Sequence, residues 1–202
     1  PDIEPFEMGI HSTNDVVISE HLRVNGIWEP LETNLVTKLI SPDDNVYDIG
    51  ANIGYYTVLF SKLVSGQGRI HAFEPENNNF KLLQFNVRKN RCRNVVCVPK
   101  GISNDTCDAY IYLAKGNLGG HKIFKMGEKK KRSPIQLLKF DEYPYTLEEK
   151  IDFIKIDTEG AECKVLSGMT EAIKRNKAHI KVIMEFWPNG VELAGDSMDN
   201  LL

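Results

Sequence analysis

The chain has 202 residues, enough for one domain with a sizeable core. Its 42% hydrophobic and 26% charged content suits a soluble globular protein, and a formal net charge of −3 gives no reason to expect a nucleic-acid or anionic-membrane partner. No apolar run reaches bilayer-spanning length, and Cys92, Cys97, Cys107 and Cys163 form no CxxC pair or zinc-like cluster, which reads as reduced thiols in a cytoplasmic protein.

In chain order, "DVVISEHLRVNGIWEP" offers short β-like runs with Asn25-Gly26 as a turn. From Glu29 a helix is expected, with Leu31, Leu35, Leu39 and Ile40 on one face, ended by Ser41 to Asp44. Asn45 to Ile49 reads as a strand, about Ile53 to Val64 as a helix, and Arg69 to Glu74 as a second strand. A helix runs from Pro75 to about Asn90, and "NVVCVP" is a third strand. "DAYIYLA" is strand-like, while "KGNLGGHKIF" and "KMGEKKKRSP" read as loop, with Lys129 to Arg132 a solvated charge run. "IQLLKFDEY" gives a further strand and turn. Ile151 to Asp157 is a fourth core strand, "CKVLSGMTEAIKRN" one helix, and Ile180 to Phe186 a fifth core strand.

Apolar strands alternating with amphipathic helices predict an α/β fold, a doubly wound parallel sheet with helices on both faces. Ligands of such sheets sit beyond the carboxyl ends of the strands, so the chemistry belongs to Asp48 to Gly54, Glu74, Gly101 to Ser103, Asp157 to Gly160 and Glu185. Gly50-Ala51-Asn52-Ile53-Gly54 is a sharp strand-to-helix turn. It lacks the dinucleotide pattern GxGxxG, and no GK[ST] follows as in a P-loop. Asp48, two residues earlier, can hold the turn or attract a cationic ligand group, which suits S-adenosylmethionine, a cofactor with an ammonium, a sulfonium and no phosphate. A structural tight turn explains the same residues. Glu74 lies twenty residues beyond Gly54 and can accept both hydroxyls of a ribose; as a helix N-terminal acid it has an ordinary explanation too.

"VYDIGANIGYYT", "HAFEPENNNFKLLQFNV", "IDFIKIDTEGAECKVLSGM" and "IKVIMEFWP" together resemble the FkbM family of S-adenosylmethionine-dependent methyltransferases, from about Asn25 to Pro188. Asn52, in the middle of the glycine turn, is common in that family. The resemblance implies a Rossmann-like class I methyltransferase fold. It divides the chain into an N-terminal cap segment and helix, residues 1–40, and a single core domain, residues 41–202. Such sheets usually carry two more strands after the fifth, so the core is expected to be incomplete at its C-terminus. By resemblance, Asp48, Gly50, Ala51, Asn52 and Gly54 wrap the methionine end of the cofactor. Glu74, followed by Pro75, holds the ribose, and Ser103 lies at the level of the adenine, with Asn104 and Asp105 beside it. Trp28 and Glu29 resemble the family's cap over the site; a buried aromatic, the favoured reading of Trp28, and a helix N-terminal acid explain them as well.

Asp157 and Glu159 follow the fourth strand, where the methyl group is expected. Methyl transfer from a sulfonium needs alignment, and a hydroxyl acceptor must also lose a proton to a nearby base. Asp157 is the first candidate for that base and Glu159 the second; capping of the next helix is the plain alternative. Asp157 with Glu185 makes a weak magnesium-like pair, and no required metal is expected. His121 is a loop histidine that reads as surface or as a base, and Asn117 with Gly119-Gly120 reads as a mobile loop near the acceptor. The expected function is O-methylation of a small molecule, sugar or peptide; N-methylation, or a nucleotide-binding module without catalysis, are the alternatives. Oligomeric state is not readable.

Overall fold

The computed structural model describes residues 4–12, 15–124, 131–197 and 199. Its centre is a parallel sheet of β1 (Val46–Ile49), β2 (Ile70–Phe73), β3 (Val95–Val98), β7 (Phe153–Ile156) and β8 (Lys181–Met184), in the order β3-β2-β1-β7-β8. β1 is central. It pairs Asp48 with Ala72 on one side and with Lys155 on the other, and all four of its residues are buried. Burial on both faces is why β1, β2 and β7 read as near-continuous apolar runs. One face packs Tyr47, Phe73, Phe140 and Met169; the other packs Val46, Phe60, Ile70 and Phe153.

α3 (Tyr55–Leu63) and α4 (Asn77–Lys89) are the crossover helices of the first half. Glu76 caps α4, its carboxylate accepting the backbone N–H of Asn78 and of Asn79 at 2.8 and 2.9 Å. A second sheet, not anticipated from sequence, joins β4 (Gly101–Ser103), β5 (Cys107–Tyr112) and β6 (Arg132–Lys139) in the order β4-β6-β5. β5 and β6 form an antiparallel pair from Cys107↔Leu137 to Tyr112↔Arg132. The strand expected at "IQLLKF" therefore begins three residues earlier, at Arg132, inside a stretch that reads as loop. Lys129 and Lys130 of the charge run lie outside the described residues.

Three expectations are corrected. The β-like run near the N-terminus is a helix, α1 (Ile18–Asn25). Asp15 accepts the backbone N–H and hydroxyl of Ser19 at 2.8 and 2.7 Å, and this anchor overrides the β preference of Val16, Val17 and Ile18. In α2 (Pro30–Leu39) the inward face carries Thr33 and Val36, and Leu31 is 88% exposed. The stripe Glu29, Glu32, Val36 has helical spacing, and it turns two carboxylates toward the strand ends. The single helix expected at "CKVLSGMTEAIKRN" is two: α6 (Glu162–Gly168) and α7 (Thr170–Asn176). Gly168 lies against β4 so closely that a Cβ there would sit 2.0 Å from the Ser103 carbonyl oxygen, and the helical path breaks at Met169. α5 (Pro144–Glu148) and α8 (Pro188–Leu193) complete the α-helices among the described residues.

Candidate active site

A cavity opens at the carboxyl ends of the parallel strands. β1 supplies Asp48, Gly50, Ala51 and Asn52; β2 supplies Glu74 and Pro75. β7 supplies Lys155, Asp157 and Glu159, and β8 supplies Glu185. Trp28, Glu29 and Glu32 form one wall, and the loop holding Asn117, Gly119 and His121 forms another.

The turn after β1 is built by the sheet. Gly50 has φ +86°, and a Cβ on it would lie 1.8 Å from the carbonyl oxygen of Asp157. Only glycine lets β1 and β7 stay paired to their ends. The N–H groups of Gly50 and Ala51 both donate to the Phe73 carbonyl, at 3.0 and 2.9 Å. That of Asn52 donates to the Glu74 carboxylate at 2.9 Å, with Asn52 itself at φ 51°. These three donors are spent within the protein, so they cannot cradle a phosphate as a P-loop does. Gly54 starts α3 at φ +89° and lies outside the lining.

Glu74 is buried. Its Oε1 accepts from Glu76 N at 2.8 Å and its Oε2 from Asn52 N at 2.9 Å. Each oxygen keeps a further lone pair for a hydroxyl donor. Burial pushes its carboxyl up to about 8, against the pull of those two N–H groups. Asp48, also buried, accepts from Thr57 Oγ1 at 2.5 Å. Burial raises it to about 6, although Lys155 and Thr57 hold it down.

The opposite side carries the acids after β7 and β8. Asp157 Oδ2 accepts from Lys155 Nζ at 2.8 Å. Glu159, at φ 54°, accepts from Lys122 Nζ at 2.8 Å, and burial raises its carboxyl. Burial raises Glu185 to about 7, assisted by the charges of Asp157, Glu159 and Glu162. The Thr158–Gly160 loop does not cap α6, whose N-terminus has no side-chain cap. Instead Glu162 reaches back: its Oε1 accepts from Thr158 N, Thr158 Oγ1 and Gly160 N at 3.1, 2.8 and 3.2 Å.

The walls are also pinned. Tyr56 Oη donates to Glu29 Oε2 at 3.0 Å, and burial raises the Glu29 carboxyl. Asn117 Oδ1 accepts the N–H of Gly119 and Gly120, and Asn79 Nδ2 donates to the Leu118 carbonyl at 2.9 Å. The segment that reads as a mobile loop thus has several anchors. His121 Nδ1 accepts the Ala114 N–H at 3.0 Å, so the neutral ring carries its proton on Nε2 and is a donor there. Burial lowers its basicity further.

Of the residues expected at the site, Glu29, Asp48, Gly50, Ala51, Asn52 and Glu74 line one cavity, together with Pro75, Asp157 and Glu159. Ser103 is buried beside it, its Oγ donating to Asn104 Oδ1 at 3.1 Å; Gly101 and Ile102 face the cavity from β4. Lys155, Glu32 and Glu162 were missed. A lysine inside the apolar run "IDFIKID" was the available signal, because buried lysines are rare unless paired. Among the described residues no group of three or more His, Cys, Asp or Glu could hold a metal ion, and no helix is long and apolar enough to cross a membrane.

The chain matches the Methyltransferase FkbM domain over residues 48–201. It is 30% identical over 135 residues to the hexuronic acid methyltransferase AglP of Haloferax volcanii, covering 65% of this chain and 52% of that protein. The chain therefore spans about half the length of that curated relative. The structure of a methyltransferase FkbM from Methylobacillus flagellatus superposes with a TM-score of 0.52 at 21% identity, covering 72% of this chain and 33% of that one. A precorrin-6y C5,15-methyltransferase from Geobacter metallireducens gives a TM-score of 0.51 at 15% identity, covering 96% and 75%. At these identities the structural likeness speaks for the fold.

Proposed function

We infer the function from one premise, that the chain belongs to the FkbM methyltransferase family: it transfers a methyl group from S-adenosylmethionine to a hydroxyl of a small molecule, sugar or peptide. The observation that carries this reading is the division of one cavity into two acidic ends, Asp48 and Glu74 on β1 and β2, and Asp157, Glu159 and Glu185 on β7 and β8. The residues suit this cofactor. The turn offers no free N–H at Gly50, Ala51 or Asn52 for phosphate, and the lining cation Lys155 is held by carboxylates. A ligand with cationic groups and a ribose matches that set; a pyrophosphate does not.

Bound there, S-adenosylmethionine would supply an already activated methyl group. Glu74 would accept the ribose hydroxyls through its remaining lone pairs. Asp48, with the Gly50–Asn52 turn, would face the ammonium end. Asp157 would take the proton of the acceptor hydroxyl as the new C–O bond forms and the methyl–sulfur bond breaks, its electron pair staying on the sulfur, with Glu159 next to it; Glu185, whose carboxyl burial pushes up to about 7, shares that wall. Residues 1–40 act as a cap on the core of residues 41–202, a role supported by Trp28, Glu29 and Glu32 in the cavity wall. A sugar acceptor is supported by the likeness to the hexuronic acid methyltransferase.

Calorimetric titration tests the cofactor class: S-adenosylmethionine is expected to bind and NAD is not. A folded sample that binds no S-adenosylmethionine refutes the reading. Asp157→Asn is expected to keep the cofactor Kd within about threefold and to lower turnover by roughly 100-fold or more; unchanged turnover removes Asp157 from the role of base.

A further inference from the structure

Lys155 is the fully interior cation of the cavity floor. Its Nζ donates to Asp157 Oδ2 at 2.8 Å and lies 3.6 Å from Glu32 Oε1, with only 4% of its side chain exposed. It also lies 4.5 Å from the centre of the Tyr56 ring. That tyrosine in turn donates to Glu29. One ammonium therefore touches the strand end that carries Asp157, the cap helix α2 and α3. Its own residue pairs directly with Asp48 across the β1–β7 register.

We propose that Lys155 is a positioning residue of the methyl-transfer centre: by holding Asp157 Oδ2 it leaves Oδ1 for the acceptor, and by its charge it keeps Asp48 ionised for the cofactor's ammonium. This rests on the methyltransferase reading of the same cavity. A neutral residue here would leave Asp48, Asp157 and Glu32 as buried or half-buried carboxylates without their shared counter-charge. Such charges neutralise by taking up protons. Asp48 is the sensitive one, because among the described residues Thr57 is its one side-chain hydrogen-bond donor, and burial already opposes its charge. The groups facing it are Thr57 from α3, Lys155 from β7 and Asp157 just after it, Glu74 from the end of β2, and the Cys97 thiol from β3.

The test is cofactor affinity as a function of pH, by calorimetry of the whole chain with S-adenosylmethionine between pH 5.5 and 9. The proteins are the parent, Lys155→Met and Lys155→Arg. The parent should lose affinity on acidification through about pH 6, where Asp48 takes up its proton. In Lys155→Met that midpoint should move up by one unit or more, so that affinity at pH 7 falls about twofold for one unit and about tenfold for two, and recovers at pH 9. Lys155→Arg keeps the charge and should keep the parent's midpoint. Glu74 titrates in all three proteins and feels the charge of Asp48, so the difference between the curves reports the Asp48–Glu74 pair, of which Asp48 is the member that Lys155 holds down. Equal loss of affinity at every pH, with an unmoved midpoint, overturns the inference and leaves Lys155 as packing. If Lys155→Met does not fold, Lys155→Arg decides: a midpoint displaced by a unit or more despite the retained charge overturns it equally. A parent that binds no cofactor at any pH refutes the proposed function instead.

Discussion

Replacing Gly50 by alanine would place a Cβ 1.8 Å from the carbonyl oxygen of Asp157 and 2.9 Å from its carbonyl carbon. Both contacts are with backbone, so no side-chain rotation relieves them. The φ of +86° adds strain of about 1–3 kcal/mol for a residue with a Cβ. Relief requires the end of β7 to move away from β1, which opens the 2.9 Å hydrogen bond from Asp157 N to the Ile49 carbonyl, worth about 1 kcal/mol. Gly50→Ala is therefore expected to cost about 2–4 kcal/mol, or roughly 5–15 °C in Tm for a chain of this size. Gly26→Ala is the internal control. Gly26 has a similar φ of +70° with nothing within 4 Å of a Cβ, so it carries the strain alone, about 1 kcal/mol. Urea unfolding of the two variants, read by circular dichroism, compares them directly. Equal losses for Gly50→Ala and Gly26→Ala would refute the claim that strand-end contact with β7 is what requires Gly50.

The buried titratable groups give two predictions of opposite sign. Glu74 has an unfolded value near 4.5 and a folded value of about 8, so the folded state holds a proton that the unfolded chain releases, and stability falls as pH rises from 4.5 through 8. Asp48 and Glu185, raised to about 6 and 7, act in the same direction. Glu74→Gln is expected to flatten that alkaline decline in urea titrations, to cost about 1–3 kcal/mol at pH 5 by leaving one of two N–H groups facing an amide, and to weaken S-adenosylmethionine roughly tenfold; an undiminished decline would show that Glu74 is not the group responsible. His71 runs the other way. It is stacked on Tyr47 at 4.8 Å, hydrogen-bonded to Tyr143 Oη at 3.0 Å, and lowered by burial to about 4. Its contribution is complete above pH 6.5 and lost as pH falls to 4, so His71→Phe is expected to remove on the order of 2–3 kcal/mol of acid sensitivity in that window. An acid limb of unchanged slope would sink this assignment.

The central sheet was readable in the sequence because burial on both faces favours near-continuous apolar runs, and β1, β2 and β7 are such runs, each broken by a single polar residue. The two longer strands of the small sheet were legible, at "DAYIYLA" and "IQLLKF"; their pairing was not, because β6 starts in a charged stretch whose partner lies twenty residues away, and β4 is only three residues long. α1 was misread for a related reason: its β-branched start is decided by Asp15, whose hold on Ser19 is joined by contact with Leu118, a hundred residues on. The acids of the site were readable one by one, since strand ends announce their positions. What gives them their chemistry was not, because Lys155 acquires its partners from α2, α3 and its own strand end together. A lysine in an apolar strand is a local contradiction, and it is resolved only where three elements converge.

The glycine turn shows the same limit from the other side. From sequence, Gly50 served a ligand and a fold equally well. In the structure its Cβ position is taken by Asp157, and its N–H, like that of Ala51, is taken by Phe73. The turn is thus closed by the sheet itself, and in the proposed site it would offer a phosphate no free N–H at these positions. In the proposed site, selection for the cofactor would fall to Asp48 and Glu74, two carboxylates that the fold keeps buried at an energetic cost. A fold optimised for stability alone would replace them with apolar residues.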